Sequence, residues 1–160
     1  MRRHSLIVTG LLALAAAGCS AQAPRQFGKT DIDNINKVIQ EFITIYNTKD
    51  AQKLSQLFTS GGAVMPPNAS TVRGTENVRE YYVNRFKNGA SDLGLDAQTV
   101  TGAGTLAYAS GDYRLTMAPA GGEAKRDRGK FLFILRDMGE GKWLLEALMF
   151  SSDFAQAPPS

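Results

Sequence analysis

The spacing of the apolar residues changes once along this chain, near residue 90, and that change limits the folds open to it. In residues 31–47 and 76–87 the apolar side chains recur every three or four positions, as they do on one face of a helix. A shorter helix is predicted to begin after Asp50, which can cap it. This helix carries Phe58 on its apolar stripe and is predicted to end at Gly61-Gly62.

The second half of the chain has the pattern of strands separated by turns. Apolar and polar residues alternate there, and the glycine-containing turn at 138–141 indicates a hairpin. The predicted strands are 92–100, 106–117, 129–136 and 142–152, after two short extended pieces at 63–65 and 71–73. Because helices come first and strands last, the sequence predicts an α+β fold with three helices against an antiparallel sheet.

The last predicted strand is apolar on both of its faces. An antiparallel sheet with one solvated face normally alternates apolar and polar residues. Here strict alternation places Trp143, Leu145, Ala147 and Met149 on one face and Leu144, Leu148 and Phe150 on the other, interrupted by Glu146. The helices can cover one face, so the other face needs a different cover. We therefore predict a homodimer that forms through the sheet.

The N-terminus has the three parts of an export signal. Two arginines precede a 12-residue apolar run at 6–17, which is too short to span a bilayer comfortably, and small residues follow it. The segment Ala16-Ala17-Gly18-Cys19 resembles the bacterial lipobox, which implies cleavage before Cys19 and acylation of its thiol. The alternative is an ordinary secretory signal in which Cys19 is incidental. Ser20, in place of Asp, favours the outer over the inner membrane.

These segments divide the chain into four predicted parts. They are a signal peptide at 1–18, a polar tether at 19–29, one folded domain at 30–152 and a disordered tail at 153–160. A lipid anchor on Cys19 would then hold the domain at the periplasmic side of the bacterial envelope.

Composition excludes several kinds of site. Cys19 is the single cysteine and His4, inside the leader, is the single histidine, so no disulfide framework, Cys/His metal site or histidine base is expected. We predict no metal and no cofactor. The net charge of +3 includes Arg2 and Arg3 of the leader. The mature chain is therefore nearly neutral, which gives no support for nucleic-acid binding.

Several short motifs together resemble the nuclear transport factor 2-like superfamily, and most closely its uncharacterised bacterial SnoaL-like branch. They are Leu57-Phe58, residues 63–67 (AVMPP), residues 72–75 (VRGT), Tyr81-Tyr82, residues 106–113 (LAYASGDY), residues 129–131 (GKF) and residues 141–143 (GKW). The resemblance covers about residues 31–152. It implies a cone-shaped fold in which three helices pack on a curved antiparallel sheet, with a cavity between them and frequent dimers.

The resemblance also indicates which residues line the cavity and which chemistry is missing. Ketosteroid isomerases of this superfamily carry a carboxylate base where this chain has Met65 or Pro66, and a tyrosine where it has Phe42. SnoaL-like domains often place histidines where strict alternation puts Ala147 and Met149. The known chemistries of the superfamily are therefore not expected here. The predicted cavity-lining residues are Phe42, Tyr46, Phe58, Met65, Tyr82, Trp143, Leu145, Ala147 and Met149.

A few polar residues remain as candidates for catalysis. Asp112 and Arg114 share a strand face, where they form either part of a polar site or an exposed or interface ion pair. Glu146 is either a buried acid with a raised pKa or the partner of Arg114 or Arg136 across the sheet. The hydroxyls of Tyr46, Tyr81 and Tyr82 either face a ligand or belong to the core. The charged run 125–128 is predicted to be a solvated loop.

The sequence leaves three functions open. The first is an envelope-anchored, non-enzymatic domain that binds a small apolar ligand or a protein partner. The second is an enzyme of unassigned type, isomerase-, hydrolase- or cyclase-like, that uses Glu146, Asp112, Arg114 or the tyrosines. The third is a domain that only scaffolds other envelope proteins through its dimer surface. A sealed, side-chain-filled cone favours a structural or interaction role, whereas an open pocket with a desolvated carboxylate favours an enzyme.

Overall fold

The structure is a computed structural model that describes residues 25–154. The predicted signal peptide, Cys19 and residues 155–160 of the predicted tail lie outside the described residues. The described part of the chain has three helices, α1 (Lys29–Asn47), α2 (Ala51–Gln56) and α3 (Thr75–Lys87), and the first two strands lie between α2 and α3. The strands are β1 (Phe58–Met65), β2 (Val72–Arg73), β3 (Ala90–Ala103), β4 (Leu106–Met117), β5 (Lys125–Asp137) and β6 (Trp143–Ser152).

All six strands form one sheet, in the order β2-β1-β6-β5-β4-β3. Every neighbouring pair is antiparallel except β1 and β6, which run parallel. Register shifts interrupt the pairing in β1, β3 and β6, and bulges of this kind bend a sheet. Helices α1 and α3 pack against the sheet. The α+β fold expected from the sequence is confirmed. Within residues 25–154 no helix is both long enough and apolar enough to cross a bilayer.

The second helix is shorter than predicted. It ends at Gln56, and Phe58 already belongs to β1, where it pairs with Leu145. The Leu145 amide donates to the Leu57 carbonyl at 2.8 Å, and this bond competes with continuation of the helix. Gly62 allows a close approach within the bulge, because a Cβ there would lie 2.9 Å from the Leu145 carbonyl oxygen. The glycine pair therefore serves a strand bulge and does not end a helix.

The charged run 125–128 is also placed differently from the prediction. These residues form the first part of β5 and pair in register with 114–117 of β4. Most of their side chains are exposed, which is why the composition resembles a loop, but their backbone groups are held in the sheet. The solvated-loop prediction for this run is wrong.

The core lies between the helices and the inner face of the sheet. Ile35, Ile39, Phe42 and Tyr46 form the buried stripe of α1, at the spacing predicted from the sequence. Phe133 of β5 and other apolar residues of the sheet face them and are also fully or nearly fully buried. Each large apolar side chain buried in this way contributes about 1.5–3 kcal/mol.

The chain enters the fold through a clamp around Arg25. Its guanidinium forms ion pairs with Asp31 and, at 3.0 Å, with Asp137, and donates to the Gly104 carbonyl at 2.6 Å. It also lies 5.4 Å from the centre of the Trp143 ring. These contacts join the start of α1 to the β3–β4 and β5–β6 turns.

The buried carboxylate of Asp31 is the helix-side half of this clamp. Its Oδ2 atom accepts a hydrogen bond from the Gly28 amide at 2.9 Å, which caps α1. Burial alone would raise the pKa of Asp31, but the Gly28 amide and the Arg25 guanidinium hold it below its ordinary value. The ionised form therefore stabilises the native state.

We expect Asp31→Asn to lower the free energy of unfolding by about 1–3 kcal/mol near neutral pH, because the substitution removes a charge-assisted cap and ion pair. Since the native pKa is lowered, the contribution is present above the unfolded pKa of about 4 and is lost as the pH falls through the native value. Urea unfolding from pH 7 to pH 3 measures both effects.

The matched control is Asp33→Asn. Asp33 lies two residues further along α1 and pairs with Lys29 on the surface, with both side chains more than half exposed. Such a pair contributes about 1 kcal/mol at most. Equal losses for the two variants would contradict a special role for Asp31.

Candidate functional site

A small cavity lies between α1, α3 and the inner face of the sheet. It encloses about 40 Å³, and about 390 Å³ of empty space when the solvent at its opening is included. The enclosed part has room for a few water molecules at most. Eight apolar residues line it, together with four tyrosines and one arginine: Phe42, Leu93, Leu95, Leu115, Phe131, Phe133, Leu148, Phe150, Tyr46, Tyr81, Tyr82, Tyr113 and Arg85.

Aromatic rings fill most of the cone behind this cavity. Phe42 lies at the centre of the cluster, with ring centroids 5.2 Å from Phe133, 6.2 Å from Tyr82 and 6.3 Å from Tyr46. The helical spacing of Phe42 and Tyr46 and the inward positions of β5 bring these rings together. These rings belong to the cavity lining, so their packing leaves little free space between the helices and the sheet.

Arg85 of α3 is the charged residue of the cavity lining. It is half-buried, and its Nε atom donates to the Tyr46 hydroxyl at 3.0 Å. The guanidinium also lies 5.1 Å from the centre of the Phe150 ring. Among the ion pairs of residues 25–154, none includes Arg85. A positive charge thus lies at an apolar cavity, and no carboxylate of residues 25–154 forms an ion pair with it.

The tyrosine hydroxyls of the lining are neutral donors at physiological pH. Burial raises the pKa of Tyr46 and Tyr81, against the opposing effect of the nearby Arg85 charge, and raises the pKa of Tyr82 further. The Tyr81 hydroxyl is buried and has no hydrogen-bond partner among the described residues. These hydroxyls can donate to a ligand, but they are poor bases.

Tyr113 is held by a carboxylate beside the cavity. Its hydroxyl donates to Asp127 Oδ2 at 2.9 Å, and the Ser152 hydroxyl donates to Asp127 Oδ1 at 2.6 Å. Burial and the Asp127 carboxylate together raise the pKa of Tyr113. Both oxygens of Asp127 are thus engaged, and Asp127 is not part of the cavity lining. Residues 25–154 contain no group of three or more His, Cys, Asp or Glu side chains that could hold a metal ion.

Comparison with known protein families identifies the family of this domain. The SnoaL-like domain matches residues 39–144, which is more than half of the chain. The chain belongs to the SnoaL-like domain family. No functionally curated protein matches the sequence.

Solved structures with the same fold are distant in sequence. A ketosteroid isomerase-like protein from Erwinia carotovora atroseptica has 20% identity and a TM-score of 0.71, covering 78% of this chain and 98% of its own. A nuclear transport factor 2-like protein with a cystatin-like fold from Novosphingobium aromaticivorans has 19% identity and a TM-score of 0.64, covering 79% and 84%. A Salmonella enterica protein of the nuclear transport factor 2-like superfamily has 15% identity and a TM-score of 0.67, covering 80% and 94%. At these identities the likeness concerns the fold.

The SnoaL-like domain brings together only part of the predicted cavity. Phe42, Tyr46 and Tyr82 line it, as expected from the α1 and α3 stripes. Phe58, Trp143 and Leu145 are buried in the core but do not line the cavity. The remaining three predicted residues also lie elsewhere: Met65 and Ala147 are half-buried, and Met149 is 47% exposed.

A bulge in β6 explains why Ala147 and Met149 do not line the cavity. Leu145 pairs with Leu135 and Ala147 pairs with Ile134, so Glu146 is an extra residue in β6. The extra residue reverses the alternation of the strand. Leu148 and Phe150 therefore reach the cavity, and Ala147 and Met149 face outward. The inward positions, Leu148 and Phe150, are apolar as well, so neither places a histidine in the cavity.

The three polar candidates for catalysis lie outside this cavity, although Asp112 and Arg114 line one open surface pocket together. Glu146 accepts hydrogen bonds from Arg136 Nε at 3.0 Å and from Thr59 Oγ1 at 3.3 Å. Its arginine partner is therefore Arg136 and not Arg114. Asp112 accepts a hydrogen bond from Gln98 Nε2 at 2.7 Å. The Arg114 guanidinium lies over Gly94 of β3, where a Cβ would be 2.6 Å from its Cζ atom.

The sequence prediction missed Arg85, although a signal for it exists. Arg85 follows Tyr81 by four residues and Tyr82 by three, so it lies on the same helical face as both. A charge on the buried stripe of a helix is unusual enough to mark a site.

Proposed function

We propose that this SnoaL-like domain is an envelope-anchored lipoprotein module that binds a small, largely apolar molecule in its cone without chemical conversion. The observation that carries the proposal is the lining of the cavity. It consists of apolar side chains, neutral tyrosines and one arginine, and it includes no carboxylate or imidazole. A few polar groups within an apolar concavity are typical of small-molecule binding sites.

The enzymatic alternative has weaker support from the same residues. Proton transfer needs a base within hydrogen-bond reach of the substrate. Glu146 and Asp112 lie off the cavity and accept hydrogen bonds from other side chains. Asp127 has both oxygens engaged by Tyr113 and Ser152. The buried tyrosines have raised pKa values and are therefore inefficient bases near neutral pH.

The outer face of the sheet supports the proposed homodimer. Leu132 and Ile134 of β5 are half-buried there, and several large apolar side chains nearby are 40–47% exposed: Leu106, Tyr108 and Met149. A contiguous apolar surface of this kind is typical of an interface. We propose a second copy of the chain as its cover, because the same surface on both copies forms a self-complementary two-fold contact.

The anchor and the fold are close together in the sequence. Cys19 precedes the Arg25 clamp by six residues, which reach about 20 Å when fully extended. An acyl group on Cys19 would therefore hold the domain near the membrane surface. Ser20 supports the outer membrane as the final location.

The binding role predicts that protein purified from its own host carries a bound small molecule in native mass spectrometry. Leu148 lines the cavity and is 5% exposed, so Leu148→Trp should fill the free space and abolish the bound mass. Val83→Trp on α3 is the control, because Val83 is outside the lining. Thermal melting checks that both variants fold, since overpacking costs about 1–3 kcal/mol. Wild-type protein without any bound mass would contradict the role.

The lipoprotein role predicts that Cys19→Ser abolishes incorporation of an alkyne-labelled fatty acid during growth in a bacterial host. The variant should also leave the membrane fraction, because no other anchor is proposed. Ser20→Ala serves as the control and should retain the label. Unchanged labelling of Cys19→Ser would show that the thiol is not the acylated group.

The dimer predicts a doubled mass in light scattering of the chain that begins at Ser20. Ile134→Glu should yield a monomer at micromolar concentration, because it would place an unpaired carboxylate in the interface. Gln40→Glu, on the exposed side of α1, adds the same charge and should remain dimeric. A monomeric wild-type chain would refute the dimer.

A further inference from the structure

The position of Arg85 is costly unless something compensates its charge. The guanidinium is half-buried at an apolar cavity, and one of its donors is already used on the Tyr46 hydroxyl. A buried charge without an ionic partner is unfavourable, because burial removes its hydration. Asp127 is the carboxylate that accepts a hydrogen bond from a tyrosine of the cavity lining. It accepts from Tyr113 and Ser152 and forms no ion pair with Arg85.

A second unsatisfied group lies on the same lining. The Tyr81 hydroxyl is buried without a hydrogen-bond partner in the described part of the chain, and Tyr81 precedes Arg85 by one helical turn. A buried hydroxyl that donates no hydrogen bond is unfavourable, because it has lost its hydration without a replacement partner. Two neighbouring groups of the cavity thus keep donors that a ligand could use: the guanidinium nitrogens of Arg85 other than Nε, and the Tyr81 hydroxyl.

The surroundings of Arg85 fix the direction from which an acceptor would approach. Its Nε donates to the Tyr46 hydroxyl, and its Cζ atom lies 5.1 Å from the centre of the Phe150 ring. The planar, forked guanidinium suits an acceptor with two oxygens in one plane. The cavity beyond it is lined by apolar side chains, including Leu95 and Leu148.

We propose that the ligand of the cone is a small monocarboxylate with an apolar body, whose carboxylate pairs with Arg85 and accepts a hydrogen bond from Tyr81. This inference rests on the proposed binding function and specifies its ligand class. One negative charge matches the one arginine. The apolar body occupies the opening, beside Leu95 and Phe150.

Butyrate and its neutral analogue butyramide test this assignment. The full chain, purified in a non-ionic detergent, is titrated with each compound while the leucine methyl signals are followed by NMR. We expect butyrate to bind about tenfold more tightly than butyramide, because a hydrogen bond between two charged groups is stronger than one to a neutral amide. The shifts should centre on Leu148 and Leu95.

Three variants assign the effect to the two groups. Arg85→Met should bring the ratio of the two affinities close to one, and Arg85→Lys, which keeps the charge but loses the fork, should retain part of the preference. Tyr81→Phe should lower the affinity for butyrate more than it lowers the affinity for butyramide. Arg79→Met is the matched control, because Arg79 lies on the same helix, pairs with Glu76 and does not line the cavity.

The outcomes separate the ligand class from the binding function. Equal affinities for butyrate and butyramide in the wild-type chain would overturn the carboxylate and leave the binding function standing. A preference that survives Arg85→Met would also overturn it. Failure of both compounds to bind a folded wild-type chain would overturn the carboxylate assignment, and a bound mass in native spectra would then decide the binding function separately.

Discussion

The fold of this chain depends on one extra residue in the last strand. β6 is apolar on both of its faces, and a strand without a bulge would direct Ala147 and Met149 to the core. The bulge at Glu146 reverses the alternation instead, so that Leu148 and Phe150 face the helices and the charge of Glu146 pairs with Arg136. The same bulge contributes to the curvature of the sheet. Without it, both the cavity lining and the apolar outer face would contain different residues.

The sequence was sufficient for the fold because the long elements have strong periodicities. The α1 stripe and the long alternation of β4 are visible without structural information, and the motif order identifies the superfamily. Local exceptions were not predictable in the same way. Gly61-Gly62 ends a helix or permits a bulge equally well, and the pairing of Leu57 with Leu145 decides between them through a contact 88 residues away. The charged run 125–128 is held by strand pairing with β4.

The candidate site was predictable only where it coincides with the core. Phe42, Tyr46 and Tyr82 follow from helical spacing, because the cavity is the unfilled end of the core itself. The contacts of the polar residues of the site became visible only in the structure. Arg85 and Arg79 are the two arginines of the described helices, and Arg85 alone follows Tyr81 and Tyr82 on one helical face. Its hydrogen bond to Tyr46 and its contact with Phe150 are visible only in the structure, whereas Arg79 is paired with Glu76. Asp127 was similarly hidden in a charged run until Tyr113 and Ser152 were seen to donate to it.

The clamp lies at one end of β5 and β6, and the cavity lining lies further along both strands. Arg25 contacts Trp143 at the beginning of β6 and Asp137 at the end of β5, whereas Phe131 in the middle of β5 and Phe150 near the end of β6 line the cavity. Phe150 lies seven positions after Trp143, a distance of about 23 Å along a regular strand. With Cys19 acylated as proposed, the short segment before Arg25 would hold the clamp end towards the membrane. The opening of the cone would then face away from the bilayer, where a small water-borne acid can reach it directly.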